Sequence, residues 1–260
     1  KHRKRSMAKH YQRTWHLKVD IERVKKIIEK NKEKFFCPFS NENSYLNIYK
    51  GTECDVKFLN LQHCDYSREP NAAGKKYIRY LMMLEHKAGR KQKQEFLKEH
   101  YDKFTVETNE ENFCVPDEDK DIQHLLLYLN NSWEFDASKR PKGRVVRARV
   151  VELPAGGVMP YHRDETASEN IRVICPIVTH KDVQNAFKDS EGEHIYNFPA
   201  SGNFYTFEED KIEHAVFNKS DVTRYALIFT VLGLNISELK EWDRAYKKNK
   251  MFWDAYSHGI

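Results

Sequence analysis

The chain lacks the usual means of holding a small secreted fold together. Its five cysteines (Cys37, Cys54, Cys64, Cys114 and Cys175) are odd in number and include no Cys-x-x-Cys. Neither a disulfide framework nor a structural zinc site is expected, and reduced thiols are the simple reading. No apolar run approaches the roughly 20 residues that span a bilayer. No charged start followed by an apolar stretch marks a secretory signal. These absences set aside membrane and secreted classes and lead to the expectation of a cytoplasmic protein. No internal repeat is evident, which argues against a solenoid or propeller.

The net charge of +5 comes from one end. Residues 1–30 hold eleven Lys/Arg and three Asp/Glu, so this stretch carries +8 and the remainder −3. Lys1-His2-Arg3-Lys4-Arg5 has the composition of a nucleic-acid or membrane-surface arm. Such short runs are common and unspecific, so the simpler expectation is a solvated tail with Met7 as a natural start and no nucleic-acid partner. The chain has 260 residues, of which 40% are apolar and 13% aromatic. It can therefore bury a sizeable core and is not of the disordered class.

Along the chain, Trp15–Asp20 alternates like a strand. Asp20 can cap a helix whose apolar stripe is Ile21, Val24, Ile27 and Ile28. Residues 35–65 read as loops and short strands. Lys75–His86 and Gln92–Phe104 have helical patterning. Asp117 or Asp119 can open a helix through Leu125–Leu129. From Arg144 the character changes to short β-prone runs separated by turn signals: 145–153, 171–178, 194–198, 202–206, 214–218 and 225–232. That spacing is the signature of a sandwich or barrel. A final helix is expected over Ser237–Trp253. The predicted plan is α+β with a mainly β core. A mixed helical and loop region (1–143) packs on the core (144–234), and a C-terminal helix (235–260) follows.

The chemistry concentrates at Tyr161-His162-Arg163-Asp164, which follows the Pro154-Ala155-Gly156-Gly157 turn. Residues i and i+2 of an extended strand share a face, so His162 and Asp164 can reach one metal, with His214 supplied by another strand. Two imidazoles and one carboxylate on one face form the ligand set of a non-haem Fe(II) centre, with open positions for substrate and oxygen. Arg224 stands ten residues beyond His214, before the apolar run Tyr225–Phe229. A buried arginine there requires an anionic partner. Tyr161, Trp133 and Glu165 can line the substrate mouth, and packing is an equal role for the two aromatics. Asn218 reads as a turn residue. His63, His86, His124, His180 and His194 are given no role.

Three blocks together carry a family likeness. Arg149-x-x-x-Leu153-Pro154-Ala155-Gly156-Gly157-x-x-Pro160-x-His162-x-Asp164 resembles the opening of the core in the aspartyl/asparaginyl β-hydroxylase-like family of Fe(II)/2-oxoglutarate oxygenases. Asn170–Thr179 is similar to that family's second block, which often carries a histidine where Ile174 stands. Gly202-Asn203-Phe204, then His214–Ser220 and Arg224, resemble its third. The likeness spans about 147 to 232, roughly a third of the chain.

It implies a double-stranded β-helix of the jelly-roll or cupin-like type. Iron binding falls to His162, Asp164 and His214, and the distal carboxylate of 2-oxoglutarate to Arg224. Arg172 would contact cosubstrate or substrate. In related halogenases a small residue replaces the carboxylate ligand, so Asp164 points to hydroxylation. The implied activity is Fe(II)/2-oxoglutarate-dependent hydroxylation of an amino acid or its derivative at an unactivated C–H bond, yielding succinate. The partner expected is thus a small amino-acid-like substrate. Two alternatives stay open: a protein or peptide side-chain hydroxylase, and a non-catalytic cupin-like metal-binding sensor.

Overall fold

The computed structural model describes residues 10–37, 56–68, 110–134, 144–163, 170–207 and 212–241. The expected helices over Lys75–His86 and Gln92–Phe104 lie outside these residues, as do Asp164 and Glu165.

Eight strands build the core: β5 (Arg144–Leu153), β6 (Val158–His162), β7 (Asn170–Val178), β8 (Val183–Asp189), β9 (Gly192–Tyr196), β10 (Asn203–Thr206), β11 (Glu213–Asn218) and β12 (Arg224–Leu232). Their pairing is nested and antiparallel. The first pairs with the last, β6 with β11, β7 with β10, and β8 with β9. A chain folded back on itself in this way is a double-stranded β-helix, as expected. Strands β1 (Gln12–Lys18) and β2 (Lys57–Asn60) from the N-terminal region extend one sheet at its two edges. That sheet then runs β1-β10-β7-β12-β5-β2, and the second runs β6-β11-β8-β9. A separate hairpin-like pair joins β3 (Gln62–Cys64) to β4 (Phe113–Pro116).

The six-stranded sheet is buried on both faces, which explains its near-continuous apolar strands. On β7 and β12 the period of two sends Ile171, Val173, Cys175, Ile177, Leu227, Phe229 and Val231 outward. There they pack with helix α1 (Ile21–Lys30) and helix α2 (Lys120–Glu134) in the main core cluster. The α2 contribution is Ile122, Leu125, Leu126, Leu129 and Trp133, a stripe at helical spacing. Trp133 is fully buried, its ring set edge-on to Phe204 and Phe229 at 5.8 Å each. It therefore packs the core behind the sheet and does not line a mouth. Each helix starts on a local cap. Asp20 accepts from the amides of Glu22 and Arg23, and Asp119 accepts from that of Asp121. Helix α3 is described over 236–241. Asn235 caps it through the amides of Ser237 and Glu238, while Glu238 reaches back to the Asn235 amide, a reciprocal capping box.

Strand β8 escaped sequence reading because its centre is polar. Val183, Asn185 and Phe187 are buried where the strand is flanked by β11 and β9, so tertiary pairing overrides a weak local preference.

The turn ahead of β6 needs both of its glycines. Gly157 N–H donates to the Pro154 carbonyl at 3.0 Å, and Gly156, at the third position, has φ +72°. This is a type II turn, where glycine avoids the Cβ penalty. A Cβ on Gly157 would lie 2.9 Å from the Pro154 oxygen. Asn218 locks this turn to the β11–β12 connection. Its amide donates to the carbonyls of Leu153, Pro154 and Val222, and its oxygen accepts from the Ser220 hydroxyl at 2.7 Å. The residue is 1% exposed. Asn218→Ala leaves several buried groups unsatisfied, at about 1–3 kcal/mol each. The expected loss is about 2–4 kcal/mol of unfolding free energy, read by denaturant titration. A change below about 0.5 kcal/mol would show that Asn218 is only a surface turn residue.

Candidate active site

The inner faces of the two sheets enclose a cavity lined by His162, His214, Arg224, Arg172, Arg149 and Asn185, among others. His162 ends β6 and His214 stands directly opposite it in register on β11. Their ring centroids are 4.3 Å apart.

The backbone arranges this by an irregularity. His214 and Val216 share one face of β11, yet they pair with His162 and Met159, which are three residues apart. The extra residue is a β-bulge, and Pro160, which has no N–H to contribute to the ladder, sits in it. The bulge lets both Met159 and His162 face the cavity. A second bulge lies in β5, where Ile228 and Thr230 pair with Arg149 and Val146. Arg147 occupies it with φ +53°, and Arg149 is thereby delivered to the inner face.

Both histidines have the same orienting device. His162 Nδ1 lies 2.7 Å from the Pro160 carbonyl oxygen, and His214 Nδ1 lies 3.1 Å from that of Ile212. A carbonyl only accepts, so each Nδ1 carries the proton, and the lone pair of each neutral ring is on Nε2. This is how metal-binding histidines are commonly held, with one nitrogen anchored and the other presented. Phe207 sets its edge against His214 at 4.8 Å.

Arg224 begins β12 and is 3% exposed. Burial alone pushes its guanidinium down to about 10, and among the described residues no carboxylate stands within ion-pair distance. It remains charged at neutral pH, in a cavity of low polarity. Arg172 on β7 is 9% exposed and reaches the same cavity. Arg149 stacks on Phe58 at 4.1 Å.

Of the residues singled out in the sequence, His162, His214, Arg172 and Arg224 come together here. Tyr161 does not: its phenol donates to Glu193, its ring packs edge-on to Phe217 at 5.9 Å, and Lys188 lies over it at 5.5 Å. These partners belong to the other face of the four-stranded sheet. Burial and the Glu193 carboxylate both push the Tyr161 phenol up, so it stays protonated. Sequence reading gave no role to Asn185, Phe187, Met159 or Arg149. Only Arg149 carried a signal, as the first residue of the first family-like block.

No protein-family model matches the chain, and no curated protein matches it. Among solved structures it is similar to a prolyl-4-hydroxylase from Pseudomonas putida, with a TM-score of 0.37 and 11% identity over 87% of this chain and 94% of that one. It is also similar to a 2OG-Fe(II) oxygenase family oxidoreductase from Burkholderia pseudomallei, with a TM-score of 0.37 and 10% identity over 72% and 73%. A cupin domain from Bordetella pertussis gives a TM-score of 0.26 and 21% identity over 36% of this chain and 98% of that domain. At such distances the residues of the cavity themselves decide what it can do. No helix among the described residues is long and apolar enough to cross a membrane.

Proposed function

We propose that the chain is an Fe(II)/2-oxoglutarate-dependent hydroxylase of the aspartyl/asparaginyl β-hydroxylase-like family. The observation that carries this reading is the buried Arg224 guanidinium, with no carboxylate partner among the described residues, in one cavity with two imidazoles whose Nδ1 atoms are already engaged. The donor set fits the metal: two neutral imidazole Nε2 atoms, joined by the Asp164 carboxylate two residues after His162, suit Fe(II) and leave positions open. Iron with 2-oxoglutarate supplies the oxidising power for hydroxylation, and succinate and carbon dioxide are the co-products.

The chain's own residues supply the rest. Arg224 anchors the distal carboxylate of 2-oxoglutarate through charge-assisted hydrogen bonds from a rigid strand. The carbonyls of Pro160 and Ile212 hold both rings in the ligating tautomer. Met159, Val151, Ile174, Phe187 and Phe207 exclude water. Arg172 favours a substrate that carries a carboxylate, which makes a free amino acid the leading substrate class.

The reading is tested by assaying succinate with Fe(II), 2-oxoglutarate and a panel of amino acids and peptides. Iron-dependent succinate formation, abolished by chelation and raised several-fold by at least one free amino acid, is expected. Stimulation by peptides alone would move the substrate to a protein side chain. No succinate under any condition, alongside firm metal binding, would leave a metal-binding sensor. A bare metal-holding barrel, however, has no use for a buried cation at Arg224.

A further inference from the structure

Sequence reading passed over a second set of metal-type ligands, which lies one residue away from the cavity across the sheet. The register across the four-stranded sheet runs His162, His214, Phe187, His194 in a single row. Phe187 therefore separates His214 from His194, at about 10 Å given the spacing of two strand intervals. Beyond Phe187, His194 meets Asp189 from the same hairpin and His10 from the segment before β1. His10 Nε2 is 3.0 Å from one Asp189 oxygen, and His194 Nε2 is 3.2 Å from the other. The ligand atoms of all three lie within 4.8 Å of one another.

The set is held in place from outside. His10 is 4% exposed and stacks on Phe187 with an interplanar angle of 15°, and its Nδ1 lies 2.8 Å from the Tyr196 hydroxyl. A tyrosine hydroxyl both donates and accepts. It can donate a hydrogen bond to Nδ1 while Nε2–H bonds Asp189, or accept one from Nδ1–H once Nε2 is a ligand. Nothing has to move for the imidazole to change roles.

We propose that His10, Asp189 and His194 form a second divalent-metal site, of the class zinc occupies, separate from the inter-sheet cavity. Two imidazoles and one carboxylate give three ligands at a tetrahedral ion, with water as the fourth. Binding displaces the two Nε2–H groups now directed at Asp189, and each neutral ring then carries its one N–H on Nδ1 and presents the Nε2 lone pair to the metal. The site joins parts that are distant in the chain: His10 leads into the edge strand of one sheet, and Asp189 and His194 sit on the edge hairpin of the other. A bound ion fastens the open side of the β-sandwich next to the cavity.

The test uses the full chain carrying His162→Ala and His214→Ala, so that the cavity histidines do not contribute. The chain is stripped with chelator and titrated with Zn2+ by calorimetry, with elemental analysis and thermal melting in parallel. One bound equivalent and a raised melting temperature are expected. Adding His194→Gln or Asp189→Asn should weaken binding at least about 100-fold, since loss of even an outer partner costs up to that much. If the double histidine variant does not fold, the unaltered protein and its His194→Gln form are compared, and the variant should bind one equivalent fewer. No bound zinc, or zinc retained despite both His194→Gln and Asp189→Asn, overturns the proposal. The first result leaves a purely hydrogen-bonded cluster, and the second puts the ion elsewhere.

Discussion

His162→Ala is expected to cut iron-dependent succinate formation by at least about 100-fold while leaving the fold intact. Loss of a partner that merely orients a metal ligand typically costs about 10–100-fold in affinity or activity, so loss of a ligand itself costs more. The structural cost is small by comparison. His162 is 9% exposed, at the end of β6, and its Nδ1 bonds the Pro160 carbonyl. A typical hydrogen bond is worth about 0.5–1.5 kcal/mol net, and the Pro160 carbonyl, near the strand end, can turn to water. The pairing of β6 with β11 uses backbone groups and is untouched. Activity and stability should therefore separate: turnover collapses while the denaturation midpoint moves little. Full activity in the variant would remove His162 from the metal site. Loss of activity together with loss of cooperative unfolding would mean that the imidazole is structural.

Arg224→Met should have opposite effects on function and on stability. A buried guanidinium with no carboxylate partner among the described residues is a cost to the ligand-free fold. Burial holds its folded value down to about 10, below the ordinary value of an arginine. The sign follows from linkage. Between those two values the unfolded chain binds more protons than the folded one, so stability rises with pH only above about 10. At neutral pH the whole penalty stands. Replacing a buried ion with an apolar residue of similar length has stabilised other proteins by about 1–4 kcal/mol, and a gain in that range is expected in the absence of ligand. For 2-oxoglutarate the effect reverses. Removing one partner of a buried charge pair costs about 2–5 kcal/mol, which raises KM for 2-oxoglutarate by roughly 30-fold or more. Thermal melting provides an independent readout, because a ligand that binds only the folded state stabilises it. Added 2-oxoglutarate with a divalent metal should raise the melting temperature of the parent protein and not that of the variant. A destabilised variant with unchanged KM would make Arg224 a structural cation.

Several features were readable before the fold was known because their causes are local. Asp20 caps α1 within three residues of chain. The two glycines of the 154–157 turn are demanded by a positive φ and by a 2.9 Å approach, both internal to the turn. The alternation of β7 and β12 reports a sheet covered on both sides. The three sequence blocks named a nested β architecture, and the strand pairing has that form. His162, His214 and Arg224 were singled out by residue type and order along the chain, and the fold brings all three to one cavity. Asp164 lies outside the described residues, and its part in the proposed site rests on the spacing from His162 alone.

Other features depended on long-range contact. Trp133 and Tyr161 were candidates for the mouth, but one is consumed by the core behind the sheet and the other faces away from the cavity. An aromatic side chain carries no local mark of the face it will occupy. Asn218 looked like a turn residue and is a junction between two turns, a role set by carbonyls 64 and 65 residues away. The bulges at Pro160 and Arg147 shift register by one residue, and in a strand that single step decides which side chains enter the cavity.

By itself, then, the sequence determined the candidate ligand residues, the strand periodicity, and the turns and caps whose forces act within a few residues. The tertiary structure alone decided which charges are buried. Arg224 is buried at the cavity because the second sheet covers it. His10 becomes a ligand candidate because folding brings it to Asp189, 179 residues later in the chain. Burial and convergence are properties of packed sheets, set by register and closure across the whole chain, and no local stretch of residues encodes them.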